Sequence, residues 1–168
     1  MDPDFRDRLL STLDDLYSFA LALAGDAHDA HDLSQEALLR AIRGRASFRP
    51  GTDLRAWIFT ILRNAYRDDR RRRKLRPAAL EEEALDSLPA ASVPHAASVR
   101  LSEELDRALT HLSPAQRALL FLCDVEGFSY REIAEILGRP VGSVMSGLHY
   151  ARRRLLQLLS ASRDPRTD

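Results

Sequence analysis

Apolar residues recur every three or four positions along most of this 168-residue chain, and strict two-residue alternation is nearly absent. The first spacing is that of one buried face of an α-helix, whereas alternation would indicate a β-strand. The pattern therefore predicts an all-α protein. It is interrupted over residues 77–102, where three prolines, many alanines and an acidic run replace the large apolar residues.

The segment before this interruption predicts three helices that share one core. The first apolar stripe covers residues 5–23. Asp26 and Asp53 are placed to cap the second and third helices, because a short carboxylate accepts bonds from the first free N–H groups of a helix. Trp57 and Phe59 are the largest candidates for the shared core.

The segment after the interruption predicts four helices. Ser113 and Ser129 are each followed three residues later by Gln or Glu, which is the sequence of a capping box. Gly138 is a natural helix stop, and the last helix is expected over about residues 141–159.

These patterns predict two small helical domains, residues 1–76 and residues 103–160. Residues 77–102 are expected to be a flexible linker that could span about 85 Å when extended, at about 3.3 Å per residue. Residues 161–168 are expected to be a disordered tail.

Charge is distributed unevenly, although the whole chain has a formal net charge of zero. Residues 1–32 contain eight Asp and two Arg, a net of −6, whereas residues 63–76 have a net of +6. The basic block favours a polyanionic partner, and a solvated helix end is the alternative interpretation.

Several classes of function find no support in the sequence. Cys123 is the single cysteine, so no internal disulfide is possible. His28 and His31 lie near carboxylates, but a solvated helix face explains them better than a metal site. No phosphate loop, nucleophile elbow or acid–base pair is present, so neither a cofactor nor an enzymatic activity is expected. Without a signal core or a long apolar run, an intracellular protein is expected.

Residues 130–152 have the pattern of a helix-turn-helix. Ala134 lets two helices approach closely, Gly138 and Pro140 form the turn, and the next helix opens with small polar residues. Such a helix can present N–H groups and short side chains to phosphates and base edges. A helical hairpin that packs against another protein fits the same pattern. The positions predicted to face outward are Ser143, Met145, Ser146, Gly147, His149, Tyr150 and Arg153.

A second candidate surface lies opposite the apolar stripe of the third predicted helix. A basic face that includes an amide suits contact with phosphates and base edges. Its members are Arg55, Arg63, Asn64, Arg67 and Arg71. Phe48, Trp57 and Tyr66 are aromatic candidates for stacking on exposed bases, although burial in the core is favoured for Trp57.

Three blocks of this sequence resemble the extracytoplasmic-function (ECF) sigma factors of bacterial RNA polymerase, the smallest class of the primary-sigma superfamily. Residues 29–41 resemble the polymerase-binding helix of domain two, and residues 48–64 resemble its promoter-melting segment. Residues 126–152 resemble domain four. The resemblance implies a cytoplasmic factor, nucleoid-associated when active, that binds core RNA polymerase and directs it to promoter DNA. An anti-sigma factor is a further expected partner.

The resemblance also implies which residues meet each partner. Docking on the clamp helices of the largest polymerase subunit is expected of Asp32, Gln35, Glu36, Leu39 and Arg40. Capture of the minus-ten element, with a flipped base held by loop 47–52, is expected of Phe48, Arg55, Arg63, Asn64, Arg67 and Arg71. Reading of the minus-thirty-five element is expected of Arg131, Ser143, Met145, Ser146, His149, Tyr150 and Arg153.

The reading helix departs from the pattern that it resembles. Met145, Gly147 and Tyr150 occupy positions where the family usually has cations. Fewer cations predict weaker attraction to phosphates and a shallower salt dependence. The missing cations keep open a second function, a sigma-like decoy that sequesters an anti-sigma factor without supporting transcription. A third is a DNA-binding regulator that uses the helix-turn-helix alone, with the N-terminal module sensing or dimerising, although it leaves the pattern of residues 29–64 unexplained.

Overall fold

The computed structural model describes residues 3–75 and 103–162, and all the regular secondary structure in these two ranges is helical. The whole predicted linker, residues 77–102, and residues 163–168 of the predicted tail lie outside the described residues. The chain separates into an N-terminal and a C-terminal compact unit, which are described in turn.

The N-terminal unit contains four helices, α1 to α4. Their bounds are Pro3–Leu10 for α1, Leu13–Ala24 for α2, Ala27–Arg43 for α3 and Leu54–Leu75 for α4, with a short 3-10 turn at Arg45–Ser47. Helices α2, α3 and α4 pack pairwise and form the expected three-helix bundle. Phe19 of α2 and Phe59 of α4 lie at its centre, with ring centroids 5.0 Å apart and both side chains fully buried.

The first predicted helix is broken in two, so the expectation of one continuous helix was wrong. The buried Thr12 hydroxyl donates to the carbonyl oxygen of Leu9 at 2.7 Å, and the backbone N–H of Thr12 donates to the same oxygen at 3.1 Å. Such local bonds compete with the helical ladder. The chain therefore turns at Ser11 and Thr12 and restarts as α2. The predicted cap at Asp26 is confirmed, since its side chain accepts from the backbone N–H of Asp29.

The C-terminal unit also contains four helices. Their bounds are Glu103–Thr110 for α5, Pro114–Leu120 for α6, Tyr130–Leu137 for α7 and Val141–Ser162 for α8. Helix α8 packs against α5, α6 and α7. It extends to Ser162, so the first two residues of the predicted tail are helical.

Local signals set the ends of these helices as predicted. Both capping boxes, at Ser113 and Ser129, are complete, and Gly138 ends α7 in the left-handed conformation with a φ of 61°. One feature was not predicted: α6 continues as a π-helical turn over Phe121–Val125, closed by a bond from the Glu126 N–H to the Phe121 carbonyl oxygen.

Candidate protein and nucleic-acid interfaces

The outward face of α3 carries Asp32, Gln35 and Leu39, which follow each other at helical spacing. Asp32 has 65% of its side chain exposed and lies 3.7 Å from His28. Leu39 is 46% exposed, although it is apolar. Gln35 is exposed and bonds to the ring of His31 at 2.8 Å. The three residues therefore form one accessible stripe with an apolar end.

Glu36 and Arg40, the other two predicted docking residues, have different surroundings. Both are half-buried, and Arg40 Nε donates to Glu36 Oε1 at 2.7 Å. Arg40 Nη1 also donates to Asp68 Oδ2 of α4 at 2.7 Å. The Arg40 guanidinium lowers the pKa of Asp68, mainly through this hydrogen bond. The side chains of Glu36 and Arg40 therefore form bonds within the N-terminal unit, to each other and from Arg40 to Asp68.

A second ionic network joins the start of α3 to the end of α4. Arg73 donates through both terminal nitrogens to the carboxylate of Asp29, each at 3.0 Å, and Arg73 Nε lies 2.7 Å from Asp69. The hydrogen bond to Arg73 is the main reason why the pKa of Asp29 is lowered. Sequence reasoning missed the two bonds that link α3 to α4, Arg40 to Asp68 and Arg73 to Asp29, because these partners are distant in the chain.

The basic face predicted on α4 is only partly assembled. Asn64, Arg67 and Arg71 are exposed and share one side of the helix at spacings of three and four residues. Arg63 is half-buried. Arg55 is also half-buried and lies about 120° around the helix from Arg67, at 100° per residue. The structure therefore groups Asn64, Arg67 and Arg71 and separates Arg55 from them.

Two of the aromatic residues proposed for base stacking belong to a cluster within the N-terminal unit. Phe48 has its ring centroid 5.3 Å from that of Trp57 and 5.9 Å from that of Phe5. The Arg8 guanidinium lies 5.7 Å from the Phe48 centroid. Phe48 and Trp57 are each half-buried, so both keep an accessible edge. Tyr66 instead lies beneath the guanidinium of Arg70, at 6.0 Å.

Helices α7 and α8 form the predicted helix-turn-helix, and the face of α8 that was predicted to read DNA is accessible. Met145 is 53% and Tyr150 is 62% exposed. The hydroxyl of Ser146 donates back to the Gly142 carbonyl oxygen at 3.1 Å. The predicted reading residues that are exposed are Arg131, Ser143, Met145, Ser146, His149, Tyr150 and Arg153.

Gly147 does not share this outward face, so its predicted orientation was wrong. It is half-buried, and a Cβ added to it would lie only 2.6 Å from Leu119 Cδ1 of α6. Gly147, one of the three residues that depart from the family pattern, therefore permits a close approach between α8 and α6.

Arg152 is a structural residue of the C-terminal unit that sequence reasoning did not single out. Its Nη2 donates to Asp124 Oδ1 at 2.6 Å and its Nε to Asp124 Oδ2 at 3.2 Å. Arg152 Nη2 also contacts Cys123 Sγ at 3.4 Å. Burial is the main reason why the pKa of Cys123 is raised. Arg152 thus fastens the π-helical turn to α8.

An open groove of about 860 Å³ follows the exposed side of α8 beyond this contact. It is lined by Tyr130, Met145, His149, Arg152, Arg153, Leu156, Gln157 and Ser160.

Within residues 3–75 and 103–162, no cluster of three His, Cys, Asp or Glu residues could hold a metal ion. In the same ranges, no helix combines the length and the apolar character that crossing a membrane requires.

Comparison with known proteins identifies both units. Residues 9–76 match the family model of sigma-70 region 2, and residues 102–155 match that of sigma-70 region 4. The two matches, in this order, define a transcription factor of the sigma-70 class.

Similar proteins of known name show to which family within the sigma-70 class the chain belongs. The chain is 40% identical over 154 residues to the ECF RNA polymerase sigma factor EcfG of Rhodopseudomonas palustris. The aligned residues cover 92% of this chain and 84% of that protein. It is 36% identical to the ECF sigma factor SigM of Mycobacterium tuberculosis, over 86% of this chain and 71% of that protein. This chain belongs to the ECF family of RNA polymerase sigma factors.

The solved structures agree with this assignment. The sigma factor RpoE of Bartonella quintana, in complex with the anti-sigma factor NepR, superposes with a TM-score of 0.76 and 35% identity. The match covers 95% of this chain and 99% of that one. The resemblance to sigma domains 2 and 4 is confirmed, and the chain acts in promoter-directed initiation with RNA polymerase. The match to region 2 excludes a regulator built on the helix-turn-helix alone.

Proposed function

We propose that three separate surfaces divide the work of initiation. The outward stripe of α3 docks on core polymerase, the exposed face of α4 holds an opened strand of the minus-ten element, and the first turns of α8 read the minus-thirty-five element. The catalytic chemistry belongs to the polymerase, and the complex works in the cytoplasm, where its promoters are.

One observation carries the proposal: the exposed residues fall into coherent faces of different chemistry. Leu39 is an exposed apolar residue in line with Asp32 and Gln35, which suits a protein interface with a small apolar centre and a polar rim. Arg67 and Arg71 combine positive charge with the amide of Asn64, which suits contact with phosphates and base edges.

The docking surface can be tested with the pair Asp32→Arg and Leu39→Arg, which should abolish binding to core polymerase while the helical circular dichroism stays unchanged. Glu36 is unsuitable for this test because it bonds to Arg40 inside the unit. Asp14→Arg makes the same charge change as Asp32→Arg, at an exposed position of α2, and serves as the control for that change. Unaltered core affinity in the double variant would refute the docking assignment.

The strand-binding surface can be tested with the pair Asn64→Ala and Arg67→Ala. It should reduce open-complex formation and leave core binding intact. Arg72→Ala is the matched control, because Arg72 is also exposed on α4 but lies about 140° around the helix from Arg67. An equal loss of core binding and promoter opening would mean that this face has been misplaced.

We also infer that a proteinaceous anti-sigma factor regulates the chain, because a structural relative with 35% identity is a sigma factor crystallised with one. The alternative that the cation-poor start of α8 raised from the sequence, a decoy that binds the anti-sigma factor without supporting transcription, can be tested against the initiation factor. Run-off transcription from purified components separates the two: specific transcripts support the initiation factor, and a core complex that never opens a promoter supports the decoy.

A further inference from the structure

The start of the reading helix presents apolar surface in place of positive charge. From Val141 to Tyr150, α8 contains neither Lys nor Arg, and Arg152 is its first cation. Val141 and Met145 lie one turn apart on the same flank and are 40% and 53% exposed. Met145 is thus the larger accessible apolar group in the part of a recognition helix that meets base edges.

Two of the neighbouring polar side chains already make contacts within α8, which leaves Met145 as the large side chain at this point whose surface is mainly apolar. The Ser146 hydroxyl donates to the Gly142 carbonyl oxygen at 3.1 Å and lies 3.4 Å from the Ser143 carbonyl oxygen. The His149 ring packs edge-on against Tyr150, with centroids 5.7 Å apart. The thioether of Met145 is a weak acceptor at most, and its principal surface is apolar.

In the major groove of DNA, the C5-methyl group of thymine is the feature that an apolar side chain recognises. We infer that Met145 is a specificity-determining residue that contacts a thymine methyl group in the upstream promoter element. Arg131 of α7 and Arg153 of α8 are exposed cations of the same unit and are accessible to phosphates. This inference rests on the proposed function, and it adds the base chemistry that α8 reads.

The experiment uses holoenzyme, formed from the full chain and core polymerase, with a promoter duplex selected by that holoenzyme from a randomised library. Each thymine of the upstream element is replaced in turn by deoxyuridine, which removes only the methyl group. Loss of one buried methyl contact should weaken binding about fourfold at one thymine. Met145→Ala should lose that sensitivity and bind thymine and deoxyuridine duplexes equally.

Two further variants sharpen the test. Met145→Lys should also lose methyl sensitivity, and its cation should steepen the dependence of log affinity on log salt by about 1. Leu156→Ala is the matched control, because Leu156 is an apolar residue of α8 that is 65% exposed but about 16 Å further along the helix. It should keep the methyl sensitivity of the original chain.

The inference is overturned if every deoxyuridine duplex binds as tightly as the parent, or if Met145→Ala retains the fourfold effect. Either result leaves the proposed function standing, provided that the holoenzyme still forms and makes specific transcripts. A chain that forms no holoenzyme or starts no transcripts refutes the proposed function, and with it this inference.

Discussion

Replacing Gly147 by alanine should destabilise the C-terminal unit, although the same change normally stabilises a helix by about 1 kcal/mol. The added Cβ would lie 2.6 Å from Leu119 Cδ1, whereas nonbonded carbons prefer about 3.5–4.0 Å. Leu119 is only 1% exposed, so its side chain cannot turn into solvent. Overpacking of this kind costs about 1–3 kcal/mol. Subtracting the helix-propensity gain leaves a net loss of unfolding free energy of about 1 kcal/mol, with about 2 kcal/mol as its upper limit.

The assay can separate the two units because Trp57 is the single tryptophan and lies in the N-terminal unit. Fluorescence in urea therefore follows that unit, and far-UV circular dichroism follows both. Gly147→Ala should lower the midpoint of the C-terminal transition in circular dichroism and leave the fluorescence midpoint unchanged. Gly142→Ala is the matched control, since an added Cβ there meets nothing within 4 Å. It should be neutral or stabilising.

A Gly147→Ala variant as stable as Gly142→Ala would refute the reasoning. A second comparison identifies the contact itself. In a Leu119→Ala background the obstructing methyl group is gone, so adding Gly147→Ala should no longer destabilise the unit. The two changes should thus be clearly non-additive, as expected for residues in contact.

Two further predictions concern the N-terminal unit. Thr12→Val should cost about 1 kcal/mol in urea unfolding followed by fluorescence, because a hydrogen bond from the buried hydroxyl to the Leu9 carbonyl oxygen is lost. Ser11→Ala, an exposed control, should change stability by less than about 0.5 kcal/mol. Stability should also fall in acid, because Arg73 holds the folded-state pKa of Asp29 below its ordinary value of 3.8. This contribution is fully present above the unfolded pKa and is lost as the pH falls through the lower folded value. Asp29→Asn should flatten the decline of the unfolding midpoint below about pH 4; a decline as steep as that of the original chain would contradict the assignment.

The helices and their caps could be predicted because their causes are local. Asp26, Ser113 and Ser129 cap helices as expected, and Gly138 stops α7, since each effect acts over three or four residues. The break at Thr12 could not be predicted in this way. A threonine that bonds back to a carbonyl oxygen is compatible with either a bent helix or a turn, and the apolar stripe continues through it.

In the candidate site, too, some features follow from local sequence spacing, whereas others depend on how the helices pack. Helical spacing was sufficient to place Asp32 and Leu39 on one exposed stripe and Met145 on the exposed face of α8. It could not show that Arg40 is tied to Asp68, because that pairing depends on how two helices cross. It also assigned Gly147 to solvent, since the neighbouring α6 that it contacts is known only from the packed structure.

Under the proposed function, in which α8 reads the upstream promoter element, the length of α8 gives packing residues an indirect influence on promoter choice. Its first turn begins about 15 Å from Ala151, a fully buried residue further along the same helix. If the helix pivots there by about 5°, its tip moves by more than about 1 Å, which is comparable with the tolerance of a base contact. Mutations in α5 or α6 that never touch DNA should therefore change which sequences are transcribed, and natural variation in that buried layer would retune the regulon.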